Sequence, residues 1–221
     1  NKINLYAYVH AGPFSTQHAA YRKLPNQFNP NKFLTPTKIS QNLLKKYHCL
    51  ESKLVGTHKF YSIDSNFKNE VLNIQKKNKS RKLLLLPQGT IKEVYEFCQL
   101  AFSAYLKDIE IVVRLHPAFS KNKRISQKIN YLITKSIRPD LISLSNENLE
   151  FDIKRSSHFL FRGSTSAIEA GCLGLTPVYF VSSDELDMNL NSLDGINIPN
   201  SLIINNSSEL ENVFSNNITF D

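Results

Sequence analysis

Residues 81–117 read RKLLLLPQGTIKEVYEFCQLAFSAYLKDIEIVVRLHP, and this stretch decides the fold class. Lys82–Leu86 holds the longest purely aliphatic run of the chain, Leu83–Leu86, closed by Pro87. A short apolar run bounded by a turn fits a strand buried on both faces. Pro87-Gln88-Gly89-Thr90 is a turn cluster, and from Ile91 to Tyr105 the apolar residues recur at helical spacing. Ile109–Leu115 is a second buried strand, stopped at once by His116-Pro117. Strand, helix and strand make one βαβ unit, which implies a parallel sheet flanked by helices.

Downstream the alternation repeats. The pattern predicts helices over 125–137, 149–155, 165–173 and 208–214, and strands over 141–144, 158–161, 178–181 and 201–204. Residues 81–221 are therefore expected to form a doubly wound, Rossmann-like α/β domain. Upstream the signal is thinner. Strands are expected over 5–9, 32–35 and 53–55, a loop over 22–32, a helix over 38–47, and a polar, Lys-rich linker or solvent-facing helix over 64–80. Residues 1–80 read as the tail of a first domain with its linker. The opening, Asn1-Lys2-Ile3-Asn4-Leu5, carries neither an initiator Met nor a signal-peptide pattern and reads as a cut inside a larger protein.

Composition narrows the class. The 221 residues are 41% hydrophobic and 21% charged, ordinary globular values that exclude collagen-like and wholly disordered chains. No run approaches the ~18 apolar residues of a membrane span, and a cytoplasmic location is expected. Cys49, Cys98 and Cys172 are far apart and form no CxxC, so each reads as a buried small hydrophobe in a reducing compartment. The net charge of +8 is uneven: residues 1–82 hold fifteen Lys or Arg against three acids, whereas no Lys or Arg follows Arg162 and eight acids do. Twenty of the 27 basic residues are Lys, scattered among Asn without a nucleic-acid-binding motif, so no nucleic-acid partner is expected. A solvated surface accounts for this charge, and so does a basic half resting on an anionic membrane face.

In doubly wound sheets ligands bind beyond the carboxyl ends of the strands, so the βα turns are where chemistry is expected. One such turn brings Arg114 and His116 to the end of a strand, where a guanidinium and an imidazole can meet phosphate oxygens. Another runs Arg162-Gly163-Ser164-Thr165-Ser166-Ala167-Ile168-Glu169. Its three hydroxyls open a helix whose free N–H groups favour an anion, and Gly163 lets the backbone approach a ligand. Ser166 and Glu169 also stand at capping-box spacing, so Glu169 divides between a helix cap and a ligand contact. Gln88, Gly89 and Thr90 could line the same cleft, as could Ser145 and Asn146 after the strand at 141–144. Near the start, His10 and His18 lie in a turn-rich segment after a strand, and histidine is the natural general base near neutral pH.

Absent patterns matter too. The chain holds no GxxxxGK[ST], no GxGxxG and no complete GxSxG elbow. No Asp-x-Asp pair appears either, so a transferase built on a carboxylate-held metal is disfavoured and no metal or other cofactor is expected.

His116-Pro117 after a buried strand, followed about fifty residues later by Ser164-Thr165 at a helix start, resembles the HP and S-[ST] motifs of bacterial GT-B glycosyltransferases. The resemblance is closest to enzymes using CMP-activated sugars of the sialic acid or Kdo type. CDP-glycerol-using teichoic-acid polymerases are similar. It covers residues 81–181 well and the first eighty loosely. It implies that 81–221 is the carboxy-terminal, donor-binding domain of a GT-B fold and that 1–80 ends the acceptor-side domain. By that resemblance His116, Ser164, Thr165 and Ser166 bind donor phosphate, and His18, or else His10, is the base or an acceptor contact. The acidic D/E-D/E-G motif that supplies the base in sialyltransferases is not present in this sequence, which places that base upstream of residue 1 or marks a difference from the family. The implied partners are a nucleotide-activated sugar and a glycan or glycolipid acceptor of the cell surface. The rival readings are a GT-B-fold UDP-sugar epimerase, a CDP-glycerol-type phosphotransferase and a non-catalytic nucleotide-binding module.

Overall fold

The computed structural model describes residues 4–8, 25–36, 38, 41–42, 44–45, 51–56, 69–70, 73, 81–182 and 198–216. They divide into two compact units, the described parts of 1–62 and of 63–216.

In the first unit β1 (Tyr6–Tyr8), β2 (Lys32–Thr35) and β3 (Ser52–Leu54) form a parallel sheet in the order β1-β2-β3. Tyr6 pairs with Lys32, and Phe33 with Ser52. β2 has the bounds its sequence predicts, and β3 begins one residue earlier than expected. Residues 38, 41, 42, 44 and 45 are helical, and Leu44 is buried, as the apolar face of the expected helix requires.

The second unit carries a six-stranded, all-parallel sheet. Its strands are β4 (Lys82–Leu86), β5 (Glu110–Val113), β6 (Ile142–Leu144), β7 (His158–Phe161), β8 (Thr176–Phe180) and β9 (Ile203–Ile204). The helices are α1 (Ile91–Ser103), α2 (Lys123–Thr134), α3 (Leu149–Lys154), α4 (Ser166–Cys172) and α5 (Ser207–Ser215). The spatial order β6-β5-β4-β7-β8-β9 is the 3-2-1-4-5-6 order of doubly wound nucleotide-binding sheets. The Rossmann-like α/β class is thus the observed one. The central strands are apolar because both faces are covered: Leu83, Leu84, Leu85, Val113, Leu160 and Val178 are fully buried.

Several boundaries differ from the sequence pattern for local reasons. The helix expected over 125–137 begins at Lys123, where Asn122 Oδ1 accepts the N–H groups of Arg124 and Ile125. It ends at Thr134. Pro139 opens a 3-10 turn over Pro139–Leu141, so β6 starts only at Ile142. β8 was expected over 178–181, yet it runs from Thr176 to Phe180. The N–H of Thr176 donates to Ser157 O, just ahead of β7, so the nitrogen of Pro177 faces the other side. There β9 begins pairing only opposite Tyr179, and the missing donor costs nothing. Cys98 is buried, as expected, but Cys172 is exposed at the end of α4, and Cys49 lies outside the described residues. No helix among the described residues is long and apolar enough to cross a membrane.

Candidate functional site at the carboxyl edge of the sheet

The strand order reverses between β4 and β7, whose last residues Leu86 and Phe161 are register partners. The turns 87–90 and 162–165 therefore leave the switch point side by side, where doubly wound folds hold ligands. β5 lies on the other side of β4, with Leu85 paired to Val113, and β6 beside β5, with Val113 paired to Leu144. Four neighbouring turns thus gather Gln88, Gly89, Thr90, Arg114, His116, Ser145, Asn146, Gly163, Ser164, Thr165 and Ser166 at one edge of the sheet. Glu169 lies further along, in α4.

His116 reaches over the neighbouring turn. A Cβ built on Gly89 would sit 3.6 Å from its Nδ1, an ordinary contact distance. The backbone N–H of Ala118 donates to that Nδ1 at 3.2 Å. With Nδ1 accepting, the neutral ring carries its proton on Nε2, which leaves an N–H donor on an exposed imidazole.

The β7–α4 turn supplies hydroxyls. Ser164 is 9% exposed, and its Oγ lies 2.6 Å from the Oγ of Ser166. The turn closes early, with the N–H of Ala167 on Ser164 O and that of Ile168 on Thr165 O. Ser166 is consequently the first residue of α4 and not its cap, and Thr165 makes no side-chain cap. Of the two readings open for Glu169, the capping box with Ser166 is not formed, since Thr165 holds the cap position. α4 has seven residues, so its aligned dipoles add less than those of a long helix, and the hydroxyls carry more of any attraction for an anion.

Two other candidates are engaged in the fold. Thr90 caps α1, its Oγ1 accepting the N–H of Glu93 at 3.4 Å. Arg114 was expected to meet phosphate, but its Nη1 donates to Asp152 Oδ2 at 2.9 Å and to Glu147 O at 2.6 Å. That guanidinium is held by a buried carboxylate, because Asp152 is 0% exposed and must be paired to remain charged. Ser145 Oγ also donates to Asp152 Oδ2, at 2.6 Å, while Asn146 is exposed. The end of β5 and the β6–α3 turn border a cleft of about 350 Å³ whose lining includes Leu115, Pro117, Leu144, Ser145 and Asn146. That size lies at the low end for small-molecule sites, ~300–1,000 Å³.

Sequence reasoning passed over two residues. Asp152 organises the β5–β6 side, and its partner Arg114 is 38 residues away, so no local pattern could have joined them. Arg162, 2% exposed at the end of β7, carries the same signal as Arg114, a cation closing a buried strand. His10 and His18 lie outside the described residues.

No family model matches the chain, and no curated protein matches it. Among solved structures, the UDP-GlcNAc 2-epimerase from Neisseria meningitidis bound to UDP-GlcNAc is similar at a TM-score of 0.47 and 16% identity, over 96% of this chain. The chain spans 60% of the length of that solved chain.

Proposed function

We propose that residues 81–216 bind the nucleotide of an activated sugar, and that the protein is a glycosyltransferase of surface-carbohydrate assembly using a CMP-activated donor. The observation that carries this reading is His116, whose Nε2–H is left as a donor beside the Cβ-free Gly89 turn at the sheet's switch edge. A phosphate there accepts from that N–H and from the hydroxyls of Ser164, Thr165 and Ser166. The cleft beside Leu115 and Pro117 takes the nucleoside.

In the reaction, an acceptor hydroxyl attacks the anomeric carbon, the bond from that carbon to the phosphate oxygen breaks, and the electron pair leaves with the phosphate. Donors fixed beforehand around that phosphate stabilise the charge as it develops, which lowers the barrier and not merely the KM. The reading calls on no metal. The acceptor's proton goes to a base assigned to His18, or else to His10. Alanine at each tests the assignment, and unchanged turnover in both variants removes it. The basic residues of 1–82 suit peripheral contact with an anionic membrane face near a lipid-linked acceptor. Indifference to anionic vesicles at low salt would overturn that part.

The deciding experiment is calorimetric titration of the chain with CMP, CDP, UDP and GDP, beside His116→Ala and Ser164→Ala. Preference for a cytidine nucleotide, lost in both variants, is the expected result. Preference for UDP replaces the donor class and brings in an epimerase or UDP-sugar transferase. No binding of any nucleotide by a folded chain overturns the reading.

A further inference from the structure

The β6–α3 turn, Ser145-Asn146-Glu147-Asn148, has no apolar side chain with which to anchor itself by burial. It is held instead by one carboxylate. Asp152, fully buried in α3, accepts from Ser145 Oγ at 2.6 Å, Arg114 Nη1 at 2.9 Å and Arg155 Nη2 at 2.9 Å. From these partners the bonding continues into the turn's backbone. Arg114 Nη1 donates to Glu147 O at 2.6 Å, and the N–H of Glu147 donates to Ser145 Oγ at 3.1 Å. The N–H of Ser145 is fixed on β5 by Val113 O at 2.8 Å. Asn146 is therefore held between two clamped residues, exposed and on the wall of the 350 Å³ cleft.

A buried carboxylate between two guanidiniums is a poor stabiliser compared with a well-packed apolar cluster, because desolvating the ions consumes most of their attraction. What such a network supplies is geometry: three charge-assisted bonds set where the turn sits.

We infer that Asp152 is a positioning residue of the ligand cleft, fixing Ser145, Asn146 and Glu147 through its bonds to Ser145 and Arg114, and so governing discrimination between nucleobases. The inference rests on the nucleotide-binding reading. Asp152 touches no ligand itself and acts through the wall it holds.

The test titrates CMP, UMP and inorganic phosphate into the full chain, Asp152→Asn and Ser145→Ala, with thermal unfolding of each. The expected result for Asp152→Asn is at least a tenfold loss of affinity for the preferred nucleotide and collapse of the CMP-to-UMP ratio towards one. Phosphate affinity should stay within twofold of the parent. Ser145→Ala should move the ratio the same way by a smaller factor. A merely structural role lowers the unfolding temperature and weakens phosphate and nucleotide together, and that result overturns the inference. So does a ratio unchanged in folded Asp152→Asn. If Asp152→Asn does not fold, Ser145→Ala and Arg114→Lys decide, and unchanged ratios in both overturn it. A parent chain with no base preference overturns both this inference and the CMP reading. A parent preference that survives in the variants overturns the inference alone.

Discussion

The two sides of the carboxyl edge are built by different means. On the β5–β6 side, the end of a strand and a polar turn are cross-linked by charge through Arg114, Asp152 and Arg155. On the β4–β7 side, the turns are rich in small residues and hydroxyls, with short-range bonds between Ser164 and Ser166 and from the Glu93 N–H to Thr90. The first construction sets a wall at the cost of burying ions. The second places small residues and hydroxyls at the switch point. The same sheet thus carries a charge-clamped flank beside one built from small residues, and mutations should separate stability from ligand binding along that line.

The largest effect is expected at Asp152→Ala. It leaves two guanidiniums without their carboxylate, and removing one partner of a buried ion pair costs about 3–5 kcal/mol. Chemical denaturation should show that loss, while Ser164→Ala should cost about 1 kcal/mol or less, the net worth of one neutral hydrogen bond. Equal losses at the two positions would break the comparison.

His116→Ala should act in the opposite sense. The ring is exposed and its bond to Ala118 is local, so stability should change by less than about 1 kcal/mol. Nucleotide affinity should fall roughly tenfold to hundredfold, the worth of a hydrogen bond to a charged group at about 1.5–3 kcal/mol. A His116→Ala chain that unfolds readily but binds normally would place His116 with the structural flank.

The comparison also shows what the sequence could carry. β2, β4 and β7 have the bounds expected of them, because each is a continuous run whose ends are marked within one or two residues by a turn or charge. The four turns fell at one edge because alternating strands and helices make the strands parallel, which puts every βα turn at the carboxyl side. The roles inside those turns were harder to read. Thr90 and Glu93 stand at the same capping-box spacing as Ser166 and Glu169, yet the cap bond forms only at the first pair. The second turn closes two residues earlier, on the carbonyl of Ser164, and no spacing rule reports where a turn closes. The Arg114–Asp152 bond went unread for a different reason. The partner of Arg114 was chosen by tertiary packing, and a cation at a strand end looks the same in sequence whether it faces a ligand or a buried acid.

A third prediction probes α1, which follows the 87–90 turn. Burial pushes the Cys98 thiol up to about 12 from an ordinary value near 9. The folded state therefore holds a neutral thiol where the unfolded chain would ionise. Stability from this group is intact below about pH 9 and is lost progressively as pH rises towards 12. Unfolding temperatures measured across that window should fall in the parent and fall less in Cys98→Ala. In the native chain Cys172 should react with a thiol reagent well before Cys98, since one is exposed and the other buried.

The smallest effect is expected at Gly89→Ala, and it bears most directly on the small-residue flank. Among the described residues the glycines with positive φ are Gly56 and Gly174 and not Gly89, so alanine meets no backbone penalty there. Its Cβ would contact the His116 ring at 3.6–3.8 Å, within ordinary van der Waals range. Stability should hence stay within about 0.5 kcal/mol, the span of surface substitutions without a special feature. The added methyl restricts the ring and covers part of the turn that a phosphate would approach. A loss of nucleotide affinity of about twofold to fivefold is expected, well short of that in His116→Ala, with CMP and UMP affected alike because the base wall is untouched. Calorimetry of the two nucleotides on this variant separates the flanks cleanly. A loss confined to one base would mean that Gly89 borders the nucleoside and that the phosphate lies elsewhere along the edge.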